Sequence, residues 1–141
     1  MKINEVMKET RLTKKAIYYY ENEGLISPAK EPSNNYRIYT EEDVRKLIKI
    51  NVLRRLEVPI KAIAEIINQS ISVKDILKEQ LIYTNLKINE LMLNKLIINE
   101  LITKDISDED FSNNTLMDFD LRLDEIMNGS GRITWHNEPR E

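Results

Sequence analysis

The stretch LTKKAIYYYENEGLISPAKEPSNNYRIY, Leu12 to Tyr39, decides the fold. Thr13 stands where a helix N-cap is wanted, and the helix it starts runs to about Glu23, where Gly24 stops it. Ile17 and Tyr20 share one face of that helix, and Leu25 and Ile26 follow the stop. The opposite face presents Lys14, Lys15, Tyr18 and Tyr19. A connector holding Pro28, Pro32, Asn34 and Asn35 leads into the alternating Tyr36-Arg37-Ile38-Tyr39, one arm of a small β-ribbon. Upstream, Ile3, Val6 and Met7 mark a short amphipathic helix over Ile3 to Lys8. Helix, turn, helix and ribbon in that order are the winged variant of a helix-turn-helix. Hydroxyl, ammonium and phenol groups along one helix, beside an arginine-bearing ribbon, suit phosphates and base edges. The pattern implies a DNA-binding module.

Downstream, Thr40 followed by Asp43 resembles a capping box and opens a third helix. Val44, Leu47, Ile48, Ile50, Val52, Leu53 and Leu56 supply its expected core stripe. Pro59 suits the first turn of a fourth, short helix whose buried face is Ile60, Ile63, Ile66 and Ile67. From Val73 to about Lys104 there is neither proline nor glycine, which predicts a helical rod of ~45 Å. Leu77, Leu81, Thr84, Ile88, Leu91, Lys95, Ile98 and Ile102 fit an a/d series that Thr84 and Lys95 interrupt, and Leu86, Leu93 and Ile97 widen the stripe. So long an apolar arc must bury against something. A second copy of the chain is the simplest partner, and folding back on its own domain is the alternative. Beyond Lys104 the chain turns acidic, and Leu116, Phe119, Leu123 and Ile126 mark a closing helix over about Asn114 to Met127. The end, NGSGRITWHNEPRE, reads as a flexible tail in which Trp135 and His136 offer at most a small ligand contact. The expected division is 1–70, 73–104 and 105–141.

Composition bounds the function. The 141 residues leave room for one compact domain with an extension, and 41% hydrophobic content can build a core. No apolar run reaches membrane-spanning length and no export leader is visible, so a cytoplasmic protein is expected. Zero cysteines exclude thiolate metal sites and disulfides. The net charge of −3 hides an asymmetry: residues 1–61 hold 13 Lys+Arg against 9 Asp+Glu, whereas residues 62–141 hold 8 against 15. Only the front part suits a polyanion. One histidine, no glycine-rich phosphate loop and no carboxylate–histidine spacing leave no catalytic set, so no enzyme and no cofactor are expected. The acidic cluster lacks the glycine-centred loop of a calcium site, and no metal is expected either.

Four strings in order carry a resemblance: YYE at Tyr19 to Glu21, GLI at Gly24 to Ile26, NYRIYTEEDV at Asn35 to Val44, and LRRLEVPIKAI at Leu53 to Ile63. They resemble the MerR family of bacterial transcription regulators, closely over residues 2 to about 69 and in architecture to about 104. The resemblance implies a mainly α protein: a winged helix-turn-helix domain, then a long helix forming an antiparallel coiled coil in a homodimer. It implies binding to double-stranded promoter DNA, which the dimer bends or untwists, reaching RNA polymerase only indirectly. A small-molecule effector would shift the dimer's shape. The chain departs from the pattern at Tyr18 and Lys15, where arginines are common, and lacks the cysteines of the metal-sensing members. The 37 residues from Asp105 onward are too few for the large ligand domain of the multidrug-sensing members.

On this reading Thr13, Lys14, Lys15 and Tyr18 form the major-groove set, and Tyr19 meets phosphate. Arg37 is a backbone or minor-groove contact, because an arginine on an exposed ribbon has little structural purpose. Tyr36 and Tyr39 bracket it, either packing under the wing or touching sugar. Arg54, Arg55 and Lys61 flank Pro59, where the resemblance implies further phosphate contacts; otherwise they are a solvated helix face. Leu77, Leu81, Ile88, Leu91, Ile98 and Ile102 are the expected dimer seam. A different class of function, a coiled-coil protein docking another regulator while binding DNA weakly, is the alternative.

Overall fold

The computed structural model describes residues 1–127; the tail with Trp135 and His136, and the side chains of Ile126 and Met127, lie outside the described residues. The order of elements is α1 (Ile3–Thr10), α2 (Lys14–Asn22), β1 (Ala29–Lys30), β2 (Arg37–Ile38), α3 (Glu41–Arg55), α4 (Ile60–Ile67), α5 (Val73–Thr103) and α6 (Asn113–Met127), with a 3-10 turn at Asp108–Asp110. The chain forms two compact units, the first ending at Leu77 and the second starting at Lys78. No helix among the described residues is long and apolar enough to cross a membrane.

Local signals account for the helix ends in the first unit. Thr13 Oγ1 accepts from the Ala16 amide at 3.1 Å, capping α2. At the other end Gly24, at φ 76°, lets its own amide reach the Glu21 carbonyl at 2.9 Å while the Leu25 amide reaches Tyr20 at 3.0 Å. That paired closure needs the left-handed backbone glycine adopts freely. The Thr40–Asp43 capping box is complete, with reciprocal bonds of 3.1 Å and 2.9 Å. Helix α3 closes as α2 does, but with Glu57 at φ 67° in the glycine position.

The core of this unit is Val6, Ile17, Tyr20, Leu25, Ile26, Val44, Leu47, Ile50, Leu53, Val58, Ile63 and Ile76, with α1 packed on α3 and α3 on α4. Asn51 Nδ2 donates to the Thr10 carbonyl at 2.9 Å, tying the end of α1 to α3. The expected α3 stripe divides. Val44, Leu47, Ile50 and Leu53 are buried, whereas Ile48, Val52 and Leu56, spaced four apart, stand exposed as a separate ridge. On α4, Ala62, Ile63 and Ile66 are buried and Ile60 and Ile67 only half-buried.

Along α5 the expected seam residues Leu77, Leu81, Ile88, Leu91, Ile98 and Ile102 are all exposed in the single chain. Leu86 and Leu93 do not widen that stripe; they are buried on another face, and Ile97 is half-buried. In the second unit Arg122 reaches the Glu100 carboxylate with both terminal nitrogens, at 3.1 Å and 3.4 Å, joining α6 to α5. That bond holds Glu100 below the usual carboxylate range. Phe119 and Leu123 are half-buried on α6, and Leu116 is exposed.

Candidate nucleic-acid interface

The ribbon is short and firmly anchored. Strands β1 and β2 pair antiparallel, Ala29 opposite Ile38 and Lys30 opposite Arg37. The turn between them closes through Glu31 N–H to the Tyr36 carbonyl at 2.7 Å and Asn35 N–H to the Glu31 carbonyl at 2.8 Å. Asn35 takes the left-handed φ of 63°, which asparagine tolerates better than most residues. Where the ribbon leaves, the Tyr39 amide donates to the Met1 carbonyl at 2.8 Å, fixing the start of α1 beside it.

Arg37 joins the ribbon to α2. Its Nε donates to the Glu21 carboxylate at 2.6 Å, and its guanidinium lies 4.3 Å from the centre of the Tyr18 ring. The Lys14 ammonium is 5.9 Å from the same ring. The bond to Glu21 raises the Arg37 pKa above its already high ordinary value, so the residue is a fixed cation. The expectation that Arg37 has little structural purpose is therefore corrected: it holds the wing against the helix. The bond uses Nε alone, and its two Nη groups have no hydrogen-bond partner among the described residues.

The other expected residues fall into distinct surroundings. Lys14 and Lys15 are exposed on α2, and Thr13 is exposed although its hydroxyl serves the cap. Tyr18 and Tyr19 are half-buried, Tyr19 edge-on to Tyr20 at 5.6 Å. Tyr36 is 64% exposed at the ribbon. Tyr39 is 1% exposed and cannot touch a sugar. Its hydroxyl is buried without a partner among the described residues, and burial pushes its pKa up to about 12. Tyr39 is core, a correction to its candidacy for DNA contact. Arg54 is partly engaged, donating from Nη1 to the Val58 carbonyl at 2.9 Å across the turn before Pro59. Arg55 is exposed, its Nε 3.3 Å from Asn51 Oδ1, and Lys61 is exposed in the first turn of α4. Sequence reasoning missed Glu21, which anchors Arg37 from 16 residues away, and Lys2, which the fold brings beside Lys14 and Arg37 around one hollow.

Residues 1–70 match the family model described as MerR HTH family regulatory protein. These residues are a MerR HTH family domain. The HTH-type transcriptional regulator CueR of Salmonella typhi is 35% identical over 68 residues, 48% of this chain and 49% of that protein. The ZntR homolog of Haemophilus influenzae is 38% identical over 68 residues, 48% and 50% of the two chains. YfmP of Bacillus subtilis is 42% identical over 50 residues, 36% of each. The matched part of the chain thus spans about half the length of the first of these relatives. A solved structure described as a MerR family transcriptional regulator from Listeria monocytogenes shares the fold, with TM-score 0.53 and 21% identity, covering 86% of this chain and 98% of that one. In this MerR HTH domain the position read as commonly arginine is Tyr18, and a guanidinium reaches that ring from Arg37 on the ribbon instead.

Proposed function

We propose that this chain is a transcription regulator that binds double-stranded promoter DNA as a homodimer and bends or untwists it. The observation that carries the reading is the Glu21–Arg37–Tyr18 tie, which makes the polar face of α2 and the wing one preorganised surface. Lys14 and Lys15, with Thr13 and Tyr18, would enter the major groove, while Arg37 and Tyr36 meet the backbone. Arg55 and Lys61 add phosphate contacts beside the Pro59 turn. The exposed apolar residues of α5 support pairing with a second copy as an antiparallel coiled coil. Two winged units held on such a coil would distort a duplex whose half-sites are out of phase, at a cost of about 1–6 kcal/mol.

Fluorescence anisotropy with a labelled duplex at 50 and 200 mM salt tests the DNA reading. A surface meeting 6–10 phosphates loses roughly 10³–10⁵ in affinity over that range. Absence of binding even at 50 mM would overturn it and favour a coiled-coil protein that docks another regulator.

A further inference from the structure

We infer that the hollow between the start of α1, helix α2 and the ribbon is the seat of one DNA backbone phosphate, with Lys2 as its contact from α1. The inference rests on the DNA-binding reading and deepens it. The hollow has a volume of about 400 Å³, and Lys2 and Asn4, Lys14 and Tyr18, and Tyr36 and Arg37 line it. Among the described residues three cations and no carboxylate line it. Glu21 satisfies only Nε of Arg37, leaving both Nη groups to a ligand with paired oxygens. The Lys2 ammonium has no hydrogen-bond or ion-pair partner among the described residues. Lys2 and Lys14 bring positive charge to a concave surface beside the Glu21-paired Arg37, which attracts an anion, and the phenol and amide groups of Tyr18, Tyr36 and Asn4 add uncharged donors of the kind that fix register on a backbone.

Lys2 is held there by the fold. The Tyr39 amide donates to the Met1 carbonyl at 2.8 Å, and the Glu5 and Val6 amides donate to the Lys2 carbonyl at 3.1 and 3.2 Å. The α1 start, α2 and the ribbon thus close on one point, where a strand passing over the polar face of α2 would run.

The test compares wild-type protein with Lys2→Ala, Lys2→Arg and Lys8→Ala on one random-sequence fluorescein-labelled duplex between 50 and 200 mM salt. Lys8 is exposed on α1, the helix that Lys2 precedes, and does not line the hollow. Removing one phosphate partner lowers the salt slope of Lys2→Ala by about 0.9, so its deficit narrows about 3.5-fold across that fourfold salt range. Lys2→Arg keeps the wild-type slope, as does Lys8→Ala. A Lys2→Ala slope parallel to wild type overturns the seat while DNA binding stands. Equal loss in Lys8→Ala also overturns it, because the effect is then general charge. If wild-type protein binds no duplex, the DNA reading itself fails. Matching thermal midpoints establish that the variants are folded.

Discussion

Replacing Ile88 and Leu91 together by aspartate probes whether α5 is a dimer seam and whether DNA binding depends on it. In the single chain these residues are 49% and 56% exposed, and Leu77, Leu81, Ile98 and Ile102 are exposed with them. Fully burying a leucine or isoleucine contributes about 1.5–3 kcal/mol, so covering the exposed half contributes about 1 kcal/mol per residue. Six such residues in each of two copies give roughly 12 kcal/mol before the association cost, itself about 4–15 kcal/mol. The two terms are of similar size, so the seam tolerates little further cost. Each aspartate would leave an unpaired charge in it, costing several kcal/mol, and the dimer carries four. The expected result is a monomer by sedimentation equilibrium whose affinity for a two-site operator falls ~10²–10⁴-fold, the avidity linked sites commonly provide. The first unit should stay folded, because Ile17, Val44, Leu47, Ile50 and Ile63 form its core without the mutated residues. A variant that still sediments as a dimer, or a monomer that binds the operator undiminished, would refute the reasoning.

Arg37→Ala should weaken selected and random duplexes about equally and lower the salt slope by about one unit; unchanged affinity and slope would remove the wing from the interface. Tyr39→Phe deletes a buried hydroxyl without a partner among the described residues, so denaturant unfolding should show stability unchanged or raised by up to ~1 kcal/mol, and a loss beyond about 1 kcal/mol would contradict its orphan state. Gly24→Ala meets no atom of the described residues within 4 Å, so its cost should come from the left-handed backbone alone, about 1–2 kcal/mol; a loss above about 3 kcal/mol would point to a clash. Circular-permutation mobility with the selected operator should reveal a bend, and straight-DNA mobility would reject distortion while leaving binding intact.

Element boundaries are legible in the sequence because local chemistry sets them. The run without proline or glycine forms α5 at Val73–Thr103, within a residue of expectation, and Thr13, Gly24, Thr40 and Asp43 act at the helix ends their chemistry marks. Which apolar face is covered is less legible. Ile48, Val52 and Leu56 are as apolar as their buried neighbours, yet nothing in the chain's periodicity says which ridge the rest of the fold covers. Leu86 and Leu93 depart the other way for the same reason. The Arg37–Glu21 tie depends on how the ribbon folds back over α2, an approach no local spacing encodes. Tyr39 misleads because bracketing Arg37 with Tyr36 suggests a shared role, whereas alternation along 36–39 turns Tyr36 outward and Tyr39 into the core.

The most direct test of a dimeric, sequence-reading regulator is to sequence the duplexes the full chain selects from a random pool. Two winged units related by a two-fold axis should enrich a pseudo-palindrome with half-sites at one fixed separation. Enrichment of a single unpaired half-site would contradict the dimer, and no enrichment over the starting pool would contradict specific DNA recognition.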